Sequence, residues 1–209
     1  MAARSSDHRR LAVAAEAARI IQEEGLADYR GAKEKAATRL GLGRNAPLPN
    51  NGEIEAALAE RIRIFHADTQ PALLESLRRA AMAVMADLVS FEPRLVGDVL
   101  GGNATPHSRV ELHLFDDAPE AVGAALDTLG IGYRTGARRF KLRRDAVEEV
   151  PVYQFAVQDC PFVVAVFPLR WRGQAPLSAV DGQPMKRAGL KQVAAMVAAG
   201  LVEAGLAGG

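Results

Sequence analysis

The residues of this chain whose types and spacing could do chemistry lie between Arg94 and Asp117, in the segment RLVGDVLGGNATPHSRVELHLFDD. Within it, Gly101 and Gly102 precede an alternating stretch that carries Arg109, Glu111 and His113. These three side chains would share one face of a strand, because neighbouring residues of a strand point to opposite faces. A glycine turn lets backbone amides approach an anion. The spacing predicts an anion site at Arg109 and the glycine amides; the alternative is that Glu111 simply pairs with Arg109 on a solvated face.

Other reactive residue types near this segment have weaker claims to catalysis. Ser108 follows the glycine pair and is a candidate for the same anion site, but no nucleophile elbow surrounds it, so it is not a triad serine. Asp116 and Asp117 lie where the strand should end, and capping of the next helix is their expected role. Cys160 is the single cysteine, and no nearby base would activate its thiol.

Composition bounds the class of protein. The chain has 209 residues, is 49% hydrophobic and 24% charged, and has a formal net charge of +1. These values are typical of a globular chain and give no general attraction to nucleic acid or membrane. A single cysteine excludes an internal disulfide framework. No signal peptide and no apolar run long enough to span a membrane is apparent, so we expect a cytoplasmic protein with no membrane partner.

The first ninety residues carry helical patterns. Apolar residues recur every three to four positions over 7–24, 53–66 and 71–89, and a shorter helix is predicted over 29–40. Residues 44–52 contain two prolines and three asparagines, which predicts a loop. We therefore expect a four-helix region over residues 1–90.

From Pro93 onward the apolar period changes to two, which marks a unit that contains a sheet. Strands are predicted over 95–100, 109–115, 137–144, 150–157 and 162–167, with a helix over 119–129. A further short strand segment over 131–133, an irregular loop over 168–184 and a final helix over 185–204 complete the prediction. The fold class is α+β, with a helical region over 1–90 followed by a mixed α/β unit over 91–209.

Two features of this second unit suggest contact with a polyanion. Arg139, Lys141 and Arg143 alternate with Phe140 and Leu142, so a strand there would present a basic face. The loop residues 170–172, Arg-Trp-Arg, combine cations with an aromatic ring that could stack on a base.

A strand, a Gly-Gly turn and then Ser-Arg-Val-Glu-Leu over 108–112 resembles the signature of the nucleotidyltransferase superfamily with the polymerase-β-like palm. Most of the chain is similar to a group of uncharacterised bacterial proteins labelled nucleotidyltransferase-like. The resemblance is carried by residues 17–21, 25, 28–29, 32–33, 48–50, 53–54, 93–97, 99–100, 107–108, 166–167, 175–178, 181–184 and 187–188.

The resemblance implies a mixed-sheet palm with flanking helices that binds a nucleoside triphosphate with Mg²⁺. The family pattern has two carboxylates two residues apart on one strand face, and a third usually comes from a neighbouring strand. Here Arg109 stands at the first carboxylate position, and Glu111 is the one carboxylate left to serve as the catalytic and metal-binding residue. Gly101, Gly102, Ser108 and Arg109 would hold the nucleotide.

Two hypotheses follow from this departure. In the first, the metal site is degenerate, and the protein binds a nucleotide, RNA or a protein partner. In the second, the protein is an active nucleotidyltransferase that moves a nucleoside monophosphate to an unknown acceptor, with Glu111 holding Mg²⁺. A scaffold that dimerises through its helical region is the remaining alternative.

Overall fold

Seven α-helices and one six-stranded mixed sheet form within the residues that the computed structural model describes, which are 2–26, 28–43, 46–143 and 146–207. The α+β class is therefore confirmed. Contacts group the chain into two compact units, one of Met1–Gln70 with Asn103–Ser108 and Ala179–Asp181, the other of Pro71–Gly102, Arg109–Ser178 and Gly182–Gly209. We call these the helical unit and the sheet unit. The predicted division into residues 1–90 and 91–209 stays a prediction.

The helical unit contains α1 (Ala2–Glu24), α2 (Tyr29–Arg39) and α3 (Asn51–Phe65). Alanines such as Ala18 and Ala32 are fully buried and let the helices approach closely around larger residues such as Ile54. Side-chain caps begin two of the helices: Asp28 accepts from the first turn of α2, and Asn50 forms a capping box at the start of α3. All three helices agree with the sequence prediction to within a few residues.

The sheet unit contains α4 (Gln70–Asp87), β1 (Arg94–Val96), α5 (Gly97–Gly101), β2 (Val110–Phe115), α6 (Glu120–Thr128), β3 (Tyr133–Arg143), β4 (Ala146–Val157), β5 (Cys160–Phe167), β6 (Ala188–Gly189) and α7 (Leu190–Ala207). The strand order is β3-β4-β5-β2-β1-β6. The β2–β5 pair is parallel, and the other pairs are antiparallel. β5 is buried along both faces, as its continuous apolar sequence predicts.

One face of this sheet carries an aromatic cluster that supports the candidate site. Phe115 of β2, Phe140 of β3 and Phe167 of β5 are buried together there, with Trp171 packed against them. The Phe140 and Phe167 rings meet edge to face with centroids 5.0 Å apart, a favourable arrangement of aromatic rings. β2, β5 and β3 therefore place their inward-pointing side chains around a common centre.

The predicted strand over 95–100 is wrong in its second half. β1 ends at Val96, and α5 begins at Gly97, whose φ of +71° takes the chain out of the sheet. A side chain would be strained in that left-handed conformation, so glycine suits the turn. Gly101 and Gly102 consequently end a short helix and do not directly follow a strand.

The final predicted helix also begins too early. Residues 185–187 are not helical, and Ala188 and Gly189 form β6, which pairs with Arg94 and Leu95 of β1. Met185 is followed by Lys-Arg-Ala-Gly, and the pairing of Ala188 and Gly189 with a distant strand keeps the end of this segment extended. α7 begins at Leu190.

β3 begins at Tyr133, so residues 131 and 132 of the predicted segment over 131–133 lie outside it, and it continues through the strand predicted over 137–144 up to Arg143; Arg144 lies outside the described residues. β3 is an edge strand, since only β4 pairs with it. Among the described residues, no helix is long and apolar enough to cross a membrane.

Candidate functional site

Glu111, the predicted catalytic and metal-binding carboxylate, lies on β2 opposite Val96 of β1 and Val163 of β5. Its Oε1 accepts a hydrogen bond from Nη1 of Arg138 at 3.2 Å, and 29% of its side chain is exposed. The turn at Gly97 lies against the same carboxylate: a Cβ added to Gly97 would be 3.3 Å from Oε2. Glu111 is thus held between a guanidinium from β3 and the backbone of the β1–α5 turn.

Arg109 is exposed and lies just before β2. The carboxylate of Glu111 pairs with Arg138, not with Arg109 as the solvated-face alternative supposed. The sequence pointed to the wrong partner. Residues two apart on one strand are easily recognised as neighbours, whereas Arg138 on β3 and Glu111 on β2 lie on strands with β4 and β5 between them. Arg138 is a site residue that sequence reasoning missed.

The predicted phosphate-binding glycines serve a local structural purpose. Gly102 caps α5 with a φ of +91°, and its amide donates to the carbonyl oxygen of Asp98 at 2.8 Å. Ser108 has a similar role, since its Oγ accepts from the backbone amide of Thr105 at 2.9 Å. It belongs to the helical unit, whereas Gly101, Gly102, Arg109 and Glu111 belong to the sheet unit.

Asp116 and Asp117 bind backbone amides and do not converge on a metal site. Oδ1 of Asp116 accepts from the amide of Ala118 at 2.8 Å and so forms a turn before α6. The predicted capping of this helix by Asp116 and Asp117 is wrong, because α6 has Pro119 at its N-cap and no side-chain cap hydrogen bond. Oδ1 of Asp117 accepts from the amide of Leu169 at 3.0 Å and fastens the start of the 168–184 loop.

The donor set around Glu111 does not fit Mg²⁺. Mg²⁺ is ordinarily held by more than one oxygen ligand from carboxylates and phosphates. Within the described residues, no group of three His, Cys, Asp or Glu side chains is arranged to hold a metal ion. The Glu111 carboxylate already accepts from Arg138. We therefore derive no metal-dependent step from this site.

His113 is the buried polar residue of the same strand face. Its Nδ1 accepts from Nε of Arg187 at 3.1 Å, and its ring lies 4.7 Å from that of Phe167 and 5.6 Å from that of Phe140. Burial lowers the pKa of His113 well below its usual value, and the charges of Arg187 and Arg138 lower it further. The imidazole is therefore neutral and acts as a hydrogen-bond acceptor toward Arg187.

Arg187 is the second site residue that the sequence did not single out for chemistry. Its guanidinium carbon lies 5.0 Å from the ring centroid of Phe115 and 5.5 Å from that of Phe167, within cation–π range. Burial, and then the nearby charge of Arg94, lowers the pKa of Arg187 to about 10, so the group stays charged at neutral pH. Arg187 and His113 are 74 positions apart in the sequence, so no local pattern predicts their contact.

The predicted basic face of β3 is present. Arg139, Lys141 and Arg143 are exposed and alternate with buried Phe140 and Leu142. None of the three has a carboxylate within ion-pair distance in the part of the chain that the structure describes. Glu149 of β4 lies directly opposite Arg139, while Val147 and Ala146 lie opposite the other two.

The loop cations beside Trp171 are paired. Arg170 contacts Glu148 at 2.6 Å, and Arg172 is paired with Glu92. Arg170 also lies 5.8 Å from the centroid of the Trp171 ring, and the ring packs against the aromatic cluster. The loop therefore does not present the open base-stacking surface that its sequence suggests.

A separate cleft of about 520 Å³ opens in the helical unit beside the first turns of α2 and α3. Nζ of Lys33 donates to Oδ1 of Asn51 at 2.7 Å, and Nδ2 of Asn51 donates to the carbonyl oxygen of Ala179 at 2.7 Å. These polar groups satisfy one another, so the cleft is a weaker candidate site than the sheet.

The chain has no significant match to a protein-family model, to a curated protein or to a solved structure. The nucleotidyltransferase-like resemblance accordingly stays an expectation drawn from the sequence.

Proposed function

We propose that this nucleotidyltransferase-like protein binds single-stranded RNA along the basic face of β3 and does not catalyse metal-dependent nucleotide transfer. The observation that carries the proposal is the row of three exposed cations, Arg139, Lys141 and Arg143, at alternating positions of an edge strand. Their role is to neutralise successive phosphates of the strand.

The geometry of the row supports this role. Side chains on one face of a regular strand repeat about every 6.8 Å, which is close to the separation of neighbouring phosphates in an extended single strand. Arg139 and Lys141 keep this repeat, and an irregularity in register follows Lys141, before the third cation at Arg143. An edge strand has one side free of strand pairing, so a ligand lying along it meets little obstruction. An ion-pairing role within the chain would require partner carboxylates, and none of the described ion pairs includes these three side chains.

Charge balance also supports RNA over a generally acidic protein surface as the expected partner. The whole chain carries a formal charge of only +1, so its attraction for a polyanion has to be local. A row of exposed cations suits the phosphates of a single strand, and the affinity of such contacts depends strongly on salt because bound counterions are released.

We expect no catalysis because of the surroundings of Glu111. Its carboxylate is engaged by Arg138, and Arg109 occupies the position where the family pattern has a first carboxylate. Phosphoryl transfer of the two-metal kind needs several carboxylates to hold the metals against the triphosphate.

The test is a fluorescence-anisotropy titration of a labelled single-stranded RNA of mixed sequence at several salt concentrations. The triple substitution R139A/K141A/R143A should weaken binding and reduce the slope of log K against log salt by about 2, since each lost phosphate contact removes about 0.7. The matched control R30A/R63A/R79A removes the same charge from exposed helical positions that are ion-paired within their own helices. Its slope should match that of the wild type.

Two outcomes would contradict the proposal. Equal salt slopes for the triple variant and its control would remove β3 as the binding surface. Transfer of label from a radioactive nucleoside triphosphate in the presence of Mg²⁺, lost in Glu111→Gln, would instead establish the active enzyme. Under the proposal, Glu111→Gln frees Arg138 and leaves RNA binding unchanged or a few-fold tighter.

A further inference from the structure

Arginines near the aromatic cluster of the sheet unit differ in how their charge is balanced. Arg94 and Arg172 both contact Glu92, Arg138 contacts Glu111, and Arg170 contacts Glu148. The more buried Arg187 has no carboxylate within ion-pair distance among the described residues. This distribution is the reverse of the usual one, because a buried charge needs a counter-charge more than an exposed one does.

The groups that contact Arg187 are all neutral. Nε donates to Nδ1 of His113, and Nη1 donates to the carbonyl oxygens of Trp171 at 3.2 Å and Gln174 at 3.1 Å. The faces of Phe115 and Phe167 complete the surroundings. These contacts satisfy two of the three guanidinium nitrogens, but they bring no negative charge.

The third nitrogen, Nη2, is shielded from solvent and has no hydrogen-bond partner. Leaving a buried donor of a charged group unpaired is costly, so such a donor calls for an explanation. Nε1 of Trp171 is a second buried donor with no partner. Both donors belong to one structural feature, since Arg187 binds the backbone of the loop that carries Trp171.

We propose that Arg187 and Trp171 form a binding site for one oxyanion, a carboxylate or a phosphate group, whose oxygens accept from Nη2 and from the indole Nε1. Oxygen anions suit this pair because a guanidinium presents its donors in a planar fork that matches carboxylate and phosphate geometry. A cation would be repelled by Arg187 and Arg94. A neutral ligand would leave the buried charge unbalanced.

Both donors are shielded from solvent, so the anion reaches them only when the surrounding groups move apart. Residues 169, 170, 172 and 173, which flank Trp171, are exposed, and Trp171 itself is partly exposed. The site is independent of the proposed RNA surface. Arg139, Lys141 and Arg143 alternate with Phe140, which faces His113, and they therefore lie on the opposite face of the sheet.

Trp171 is the single tryptophan of the chain, so its fluorescence reports on this site alone. The wild-type protein is titrated with inorganic phosphate and, separately, with acetate, at constant ionic strength maintained with chloride. A saturable change in Trp171 emission is expected, with a rise in Tm of about 2–4 °C at saturation. The anion that saturates at the lower concentration identifies a phosphate or a carboxylate as the natural group.

Arg187→Met should raise the anion concentration that gives half of the emission change at least about tenfold. Arg187→Lys keeps the charge but lacks the planar fork of donors, and it should raise this concentration less. Arg63→Met makes the same change at an exposed helical position and should leave the response intact. If neither anion alters the emission or the Tm of the wild-type protein, the proposal is overturned, whatever the variants do. RNA binding by β3 is measured separately, so the failure of one proposal does not imply failure of the other.

Discussion

The helical unit and the sheet unit differ in whether the cations described below have carboxylate partners. In the helical unit, Arg19 contacts Glu16 at 2.6 Å and Glu23 at 2.7 Å, and Glu24 pairs with both Lys35 and Arg39. In the sheet unit, a row of three cations on β3 has no such partners among the described residues, and the partly buried Arg187 contacts only neutral groups.

This difference distinguishes charged residues that stabilise the fold by pairing with one another from charged residues that are available to bind a ligand. An ion pair on a helix surface adds a little stability and needs nothing from outside the chain. A buried cation without a counter-charge lowers stability, whereas exposed cations without partners remain available to an anionic ligand. The sheet unit is therefore where we expect ligands to bind, although the helical unit contains many charged residues as well.

The largest effect is expected when the ring of Phe167, which contacts the Arg187 guanidinium, is removed. Phe167 is fully buried and contacts Phe140, His113 and Arg187. Phe167→Ala should lower the free energy of unfolding by about 3–5 kcal/mol, measured by urea titration, because it leaves a cavity in the aromatic cluster. The control Phe65→Ala changes a ring that is 65% exposed and should cost less than about 1 kcal/mol. Similar losses for both would mean that the aromatic cluster is not the core of the sheet unit.

A smaller effect should appear on acidification. In the unfolded chain His113 binds a proton near its usual pKa of 6.5, whereas in the folded protein burial and the charges of Arg187 and Arg138 lower that pKa. Folding stability is therefore complete above 6.5 and falls as the pH drops below it, by up to about 1.4 kcal/mol per pH unit. Urea titrations at several pH values should show this loss in the wild type and a reduced loss in His113→Gln. His66→Gln, which removes an imidazole at the end of α3, is the matched control for the loss of one histidine.

The smallest expected effect concerns the paired charges of the helical unit. The hydrogen bond from Arg19, and to a lesser extent its charge and the contact with Arg39, lowers the pKa of Glu16 despite partial burial. Glu16→Gln should therefore cost about 0.5–1 kcal/mol at neutral pH, with a smaller cost at high salt. A loss of several kcal/mol, seen in the same urea titration, would show that this ion-pair network is as important as the aromatic cluster and would remove the contrast between the units.

Much of the fold was predictable because its signals are local. Apolar spacing identified the helices of residues 1–90, and Asp28 and Asn50 begin two of them as side-chain caps. The strands over 110–115 and 160–167 followed from alternation and from a continuous apolar run. The errors were at Gly97 and at residues 185–189. There a left-handed turn and pairing with a distant strand outweighed the local apolar pattern.

The candidate site was predictable only in part. Glu111 and the basic residues of β3 were identified because alternation along a strand assigns side chains to faces. The sequence by itself thus determined the α+β class, the elements and which residues share a face, since these depend on the order of neighbouring residues. Only the tertiary structure decided which charges meet. Strand order brought Arg138 to Glu111 and β6 brought Arg187 to His113, and such contacts between distant segments depend on packing that no local pattern encodes.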